Sequence, residues 1–159
     1  LNYIGGWGSS SVANKVVPFT VEASWSMGRW DVLEKNVRHY DAGDITKNFN
    51  VGIGNALLCL KRGDLEGFTS LIEKMRNRVA SSLTYSTTAS LQASHDARLK
   101  CQALSDLEMI AYLEEGDDKK SLLTMLDRRL DVLGSRFNDK QYLLGIRRAA
   151  MELRRYVPR

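Results

Sequence analysis

Residues 22–35, EASWSMGRWDVLEK, place Trp25 and Trp30 on either side of a Gly28-Arg29 break in an otherwise helix-forming stretch. Glycine can take the left-handed conformation that ends a helix without steric cost. The stretch therefore reads as the end of one helix, a tight turn and the start of another. Each helix contributes one indole, and the two rings are expected to close on each other across the turn. If buried, either Trp→Ala change should cost about 3–5 kcal/mol.

Outward from this turn the pattern recurs. Ala23, Arg29 and Asp31 reappear 33 residues later as Ala56, Arg62 and Asp64, with Gly63 taking the part of Gly28. A period near 34 built from paired helices marks tetratricopeptide-like repeats, in which no hairpin buries its apolar face alone. Helices are expected near 19–27, 30–39, 50–62, 65–83, 88–114, 119–133 and 139–156. The breaks contain Asp41-Ala42-Gly43-Asp44, Arg62-Gly63-Asp64 and Glu115-Gly116-Asp117-Asp118. In the last helix Tyr142, Leu143, Ile146, Ala150, Leu153 and Val157 follow spacings of three and four, a buried stripe. Strand-like alternation is nearly absent.

The predicted fold is thus all-α: an α-α superhelix of antiparallel hairpins, a tetratricopeptide-like solenoid section over 17–159. Trp25, Trp30, Leu33, Leu57 and Leu107 are its expected packing anchors. Residues 1–16, LNYIGGWGSSSVANKV, read as a Gly/Ser-rich linker or loop, with Trp7 pinning it to the body. Pro18 marks the expected start of the first helix. The chain begins at Leu1 and ends abruptly, which suggests a section of something longer.

With 159 residues, 43% of them hydrophobic, the chain can bury a core without disulfides or metals. Cys59 and Cys101 have no metal or redox spacing; Cys59, in ALLCL, reads as a small buried hydrophobe, and free cysteines suit a reducing compartment. No apolar run approaches the roughly 20 residues of a membrane span. Net charge is +4 but uneven: residues 119–159 hold 11 Lys/Arg against 4 Asp/Glu, while the preceding residues are net acidic. A basic end can meet nucleic acid, and Arg147, Arg148, Arg154 and Arg155 could line phosphates. Aromatic interleaving is sparse there, so a solvated face, or pairing with acidic helices, is the preferred reading.

Chemistry does not converge. His39 ends a helix, where a cation meets the negative end of the dipole. His95, in SHDARLK, lacks the rest of a kinase catalytic loop. Gly52-Ile53-Gly54 lacks a phosphate loop's third glycine and Gly-Lys-Ser/Thr ending, and reads instead as a close helix approach. The acids at 114–118 lack calcium-loop spacing, and no Cys/His cluster suits zinc. No catalytic, cofactor-binding or metal-binding residue is assigned.

The ordered blocks nevertheless resemble a known family. EASWSMGRWDVLEK (22–35) resembles the alanine-tryptophan and W-D-x-[LM]-E pattern in the FAT region of phosphatidylinositol-3-kinase-related protein kinases. FNVGIGNALLCLKRGD (49–64) is similar to its next hairpin. LIEKMRNRVASSLT (71–84) and ASLQASHDARLKCQALSDLEMIA (89–111) resemble its long helix pair, ending in the L-x-[ED]-L-E block. RLDVLGSRFNDKQYLLGIRRAAMEL (129–153) resembles the R-L-[ED] and L-x-x-[IL]-R-R-A helices of the ATR-type checkpoint branch, in a fungal-like form. The mTOR branch shares the tryptophan and leucine-glutamate blocks but fits 129–153 less well. Ser24, where alanine is frequent, and the Gly/Ser-rich start depart from the pattern.

The resemblance implies a non-catalytic scaffold section of an ATR-like Ser/Thr kinase in nuclear DNA-damage checkpoint signalling. ATP and Mg²⁺ would bind elsewhere in the parent, in its kinase domain. Implied partners are the rest of the kinase chain, a second copy in a homodimer and an ATRIP-like regulatory subunit, with neither membrane nor direct nucleic-acid contact. The alternatives are the equivalent section of another kinase in the superfamily, or a free-standing helical-repeat adaptor for a protein or peptide.

Overall fold

The computed structural model describes residues 10–40, 44–85, 91–114 and 116–156. Within them the chain forms α1 (Ser10–Ser26), α2 (Trp30–Arg38), a short 3-10 turn (Ile45–Lys47), α3 (Phe49–Arg62), α4 (Leu65–Tyr85), α5 (Leu91–Ala111), α6 (Lys119–Asp131) and α7 (Phe137–Tyr156). No strand occurs among the described residues. The all-α architecture of antiparallel hairpins is the one the periodicity predicts, with α1 on α2, α3 on α4, and α4 on α5.

The first two hairpins share one turn chemistry. Gly28 and Gly63 have φ of 68° and 72°. The following amides reach back to close the helix end, Arg29 N–H to Ser24 O (2.8 Å) and Asp64 N–H to Cys59 O (2.9 Å). This is the glycine-capped helix end in which orphan carbonyls are satisfied. Asp64 then opens α4, its Oδ1 accepting Gly67 N–H at 2.8 Å. Gly28 and Gly63 lie 35 residues apart, so the geometric repeat is two residues longer than the spacing that relates Arg29 to Arg62. Matching turns at 35 pairs Val21 with Ala56, Trp25 with Leu60 and Leu33 with Phe68, all buried.

Helix α1 begins at Ser10, and not after Pro18; residues 10–16, expected as linker, form its first turns. Residues 1–9, including Trp7, lie outside the described residues. An interior proline removes an N–H and crowds the preceding turn, at about 3 kcal/mol. Against that, Val17, Val21 and Trp25 recur every four residues on one face and are all buried, each contributing roughly 1.5–3 kcal/mol. The apolar stripe therefore outweighs the breaker.

Helix α3 is the centre. Val51, Ile53, Ala56, Leu57, Leu58 and Leu60 are buried around most of its circumference, as expected of a helix with neighbours on several sides. It packs against α1, α2, α4 and α7. Its glycines make these approaches possible. A Cβ on Gly54 would stand 2.7 Å from Val21 Cγ1 and 3.1 Å from Leu33 Cδ1, and one on Gly52 would stand 2.8 Å from Met75 Sδ.

The chain does not simply march onward from hairpin to hairpin. Helix α7 returns to lie against α1, α3 and α5. Leu143, Ile146, Ala149, Ala150 and Leu153 form its buried stripe and Tyr142 is half-buried, while Val157 lies outside the described residues. The last helix thus bridges the first hairpins, which a linear array would not require.

Candidate functional site

The groups that fix α7 on the first hairpins form one node. Trp25, 2% exposed, meets Tyr142 edge-on, with ring centroids 6.3 Å apart and planes at 70°. This is a favoured aromatic geometry. The Tyr142 hydroxyl donates to Asn50 Oδ1 at 2.6 Å, and Asn50 Nδ2 donates to Glu22 Oε2 at 2.9 Å. Burial, with Glu22 nearby, pushes the Tyr142 phenol up, so it remains a neutral donor. Arg148 Nη2 donates to Ser26 O at 2.8 Å, placing a cation on the C-terminal end of α1. Trp25 Nε1 is buried without a partner.

Among the described residues no ring contact joins Trp25 to Trp30. Trp30, the first residue of α2, is partly buried and packs against the core from its edge. Leu33, one turn on, is the α2 residue that enters the core. Leu33, Leu57 and Leu107 are each 0% exposed.

A second node joins α5, α6 and α7 and is ionic. Asp106 is 3% exposed, and Arg129 Nε lies 3.0 Å from its Oδ1, without hydrogen-bond alignment. Burial pushes the Asp106 carboxyl up while Arg129 and Arg147 pull it down, with burial the larger effect. Arg147 Nη2 donates to Asp127 Oδ1 at 2.7 Å, whereas its Nη1 is buried and unpartnered. Gln102 Nε2 donates to Arg129 O at 3.1 Å, and Leu122 and Leu126 supply the buried apolar contacts of α6. Arg154 donates to Leu113 O.

Further pairs brace neighbouring helices: Arg76 grips both oxygens of Glu108 (3.2 and 2.7 Å) between α4 and α5. Arg62 Nη2 donates to Glu34 Oε1 at 2.7 Å between α3 and α2. Arg78 Nη2 donates to Asp44 Oδ2 at 2.5 Å and its Nε to Thr46 Oγ1 at 3.1 Å. The Thr46 hydroxyl and amide, ahead of Arg78, hold the Asp44 carboxyl down at about 2.

The two histidines are separate. His39 caps α2, its Nδ1 lying 2.6 Å from Lys35 O. His95 Nε2 lies 2.6 Å from Asp139 Oδ2, joining α5 to the first turn of α7. Among the described residues no group of three or more His, Cys, Asp or Glu side chains is placed to hold a metal. Cys59 is half-buried, and burial, then Asp64, pushes its thiol up, away from the reactive thiolate. An open groove of about 790 Å³ runs between the end of α1, α6 and α7. No helix is long and apolar enough to cross a membrane among the described residues.

What these residues do is hold helices at fixed angles. Asp106 and Glu108, both inside the leucine-glutamate block, carry ion pairs that apolar periodicity does not mark; their signal was charge beside the apolar residues Ala103, Leu104, Leu107 and Ile110 of α5. Asn50 and Arg129 left no local signal, because their partners lie on helices distant in sequence.

Comparison with known proteins bears on this arrangement. The FAT domain family profile matches residues 17–157. The serine/threonine-protein kinase TOR of Arabidopsis thaliana is 25% identical over 109 residues, covering 60% of this chain and 4% of that protein. The chain thus spans a small fraction of the relative's length. No solved structure matches it significantly. With the profile running from the middle of α1 to the end of α7, the chain belongs to the FAT domain family, as a FAT region of the phosphatidylinositol-3-kinase-related kinase type.

Proposed function

We propose that this chain is a non-catalytic scaffold section of a large Ser/Thr protein kinase, acting through its shape on a kinase domain elsewhere in the polypeptide. The observation that carries this reading is the α1–α3–α7 node, within a FAT match over nearly the whole chain. A rigid helical body can favour one of two positions of an attached domain by contacting them differently. On this reading ATP and Mg²⁺ belong to the kinase domain.

The finer reading is an ATR-type checkpoint kinase, supported by the 129–153 blocks. It carries with it a nuclear site, a homodimer and an ATRIP-like regulatory subunit. A TOR-type parent is the second reading, favoured by the 25% identity to the plant TOR kinase. Two measurements in the full-length kinase separate these levels. Trp25→Ala should change kcat on a peptide substrate while leaving KM for ATP unchanged; unaltered kcat in a correctly folded enzyme contradicts the scaffold role. Phosphorylation that rises after DNA damage and depends on this section supports the checkpoint reading, and a damage-independent kinase contradicts it.

A further inference from the structure

We infer that Ser81 is a phosphorylation site for a separate, arginine-directed Ser/Thr kinase, and that its phosphate draws Arg78 away from Asp44. Residues 76–81 read RNRVAS, with arginines five and three residues before the serine. A kinase of this class takes its substrate as an extended strand and grips those two guanidiniums with carboxylates in its groove. Ser81 is the one Ser or Thr of the sequence with an arginine three residues before it. Its neighbour Ser82 has Val79 at that place, and the Ser82 hydroxyl donates to Val79 O at 2.7 Å.

The end of α4 can open to admit such a groove. Residues 80–83 are all exposed, and Val79 is the last buried side chain among the described residues of α4. A helix end with so little buried opens locally far more readily than the body it leaves. Both arginines are held only by surface pairs, Arg76 with Glu108 and Arg78 with Asp44, their side chains 39% and 45% exposed; such pairs are weak. In the transfer, Ser81 Oγ bonds to the γ-phosphorus of Mg-ATP as the bond to ADP breaks, and the hydroxyl proton passes to the kinase's catalytic aspartate. The product sets about two negative charges at the position three residues beyond Arg78, where helical side chains face each other. The phosphate then competes with Asp44 for the Arg78 guanidinium and opposes the negative end of α4. The turn at Ile45–Lys47, which Arg78 holds through Asp44 and Thr46, is thereby released from α4.

The test incubates the 159-residue chain with Mg-ATP and a recombinant kinase that requires arginine at both positions, and maps the phosphate by tandem mass spectrometry. Ser81 should be labelled, and Ser81→Ala should leave residues 79–84 unlabelled. Arg78→Lys should slow incorporation about tenfold, since an ammonium cannot replace the two-pronged guanidinium. A synthetic peptide of residues 73–84 should be labelled faster than the chain, because α4 has to open first. In the phosphorylated chain, NMR titration should place the Asp44 midpoint above its unmodified value of about 2. A kinase that labels the peptide but not Ser81 of the chain overturns the inference. So does a phosphorylated chain whose Asp44 midpoint stays where it was.

Discussion

Helices α3 and α6 sit in the same molecule and are held by different physics. Helix α3 is surrounded, with two glycines letting neighbours approach to van der Waals contact and leucines filling the gaps. Helix α6 has two buried leucines, a partly buried Leu130 and a hydrogen bond from Gln102, and is further tied by arginine–aspartate contacts, one of them with an aspartate whose desolvation exceeds what its arginines return. Dense apolar packing gives a cooperative unit. Ionic ties at a half-exposed edge contribute less, because desolvation and screening offset their attraction. Stability should therefore be highest at α1–α3–α7 and lowest at α6.

The largest effect is expected from Trp25→Ala, at about 3–5 kcal/mol, in a urea transition that melts α1, α3 and α7 together. A second transition that leaves α7 folded would show that α7 is not part of the α1–α3 unit. Next is Leu126→Ala, at about 2–3 kcal/mol, the low part of the range for buried leucines. It should raise amide exchange in α6 and leave α3 unchanged. Tyr142→Phe removes the hydroxyl that Asn50 accepts and should cost about 0.5–1.5 kcal/mol, read as a lower urea midpoint with unchanged slope.

The smallest effects are electrostatic, and two aspartates act in opposite directions. The Asp44 carboxyl is held at about 2, below its ordinary 3.8. Its contribution is present above pH 3.8 and is lost as pH falls toward about 2. The Asp106 carboxyl is pushed above 3.8, so its protonated form favours the fold; that contribution is present in acid and is lost as pH rises through the folded value. NMR titration should place the Asp44 midpoint near 2, and Thr46→Val should move it toward 3.8. A wild-type midpoint already near 3.8 would contradict the Thr46 hydrogen bonds.

What could be read beforehand follows the same division. Apolar runs between glycine and aspartate breaks expose helices, so the helices among the described residues, and the burial of Leu33, Leu57 and Leu107, were legible. Gly63 and Gly28 announced their turns, although residue identity suggested a period of 33 where the caps repeat at 35. The start of α1 was hidden by serines and by Pro18, whose usual meaning gives way to the burial of Val17 and Val21. The burial of Trp25 was legible but its partner was not: Tyr142 and Asn50 meet across 92 positions, and no local pattern encodes such a pairing. The same holds for Arg129 and Asp106. The family was legible only through resemblance, since helix-bracing residues carry no chemical signature of their own.

Helix α7 closes the first hairpins into one cooperative body. Native-state hydrogen exchange across low urea concentrations, resolved by helix, tests it most directly. Amides of α1, α3 and α7 should converge on one opening free energy and one urea dependence, with α6 opening earlier. Independent opening of α7 before α1 and α3 would contradict it.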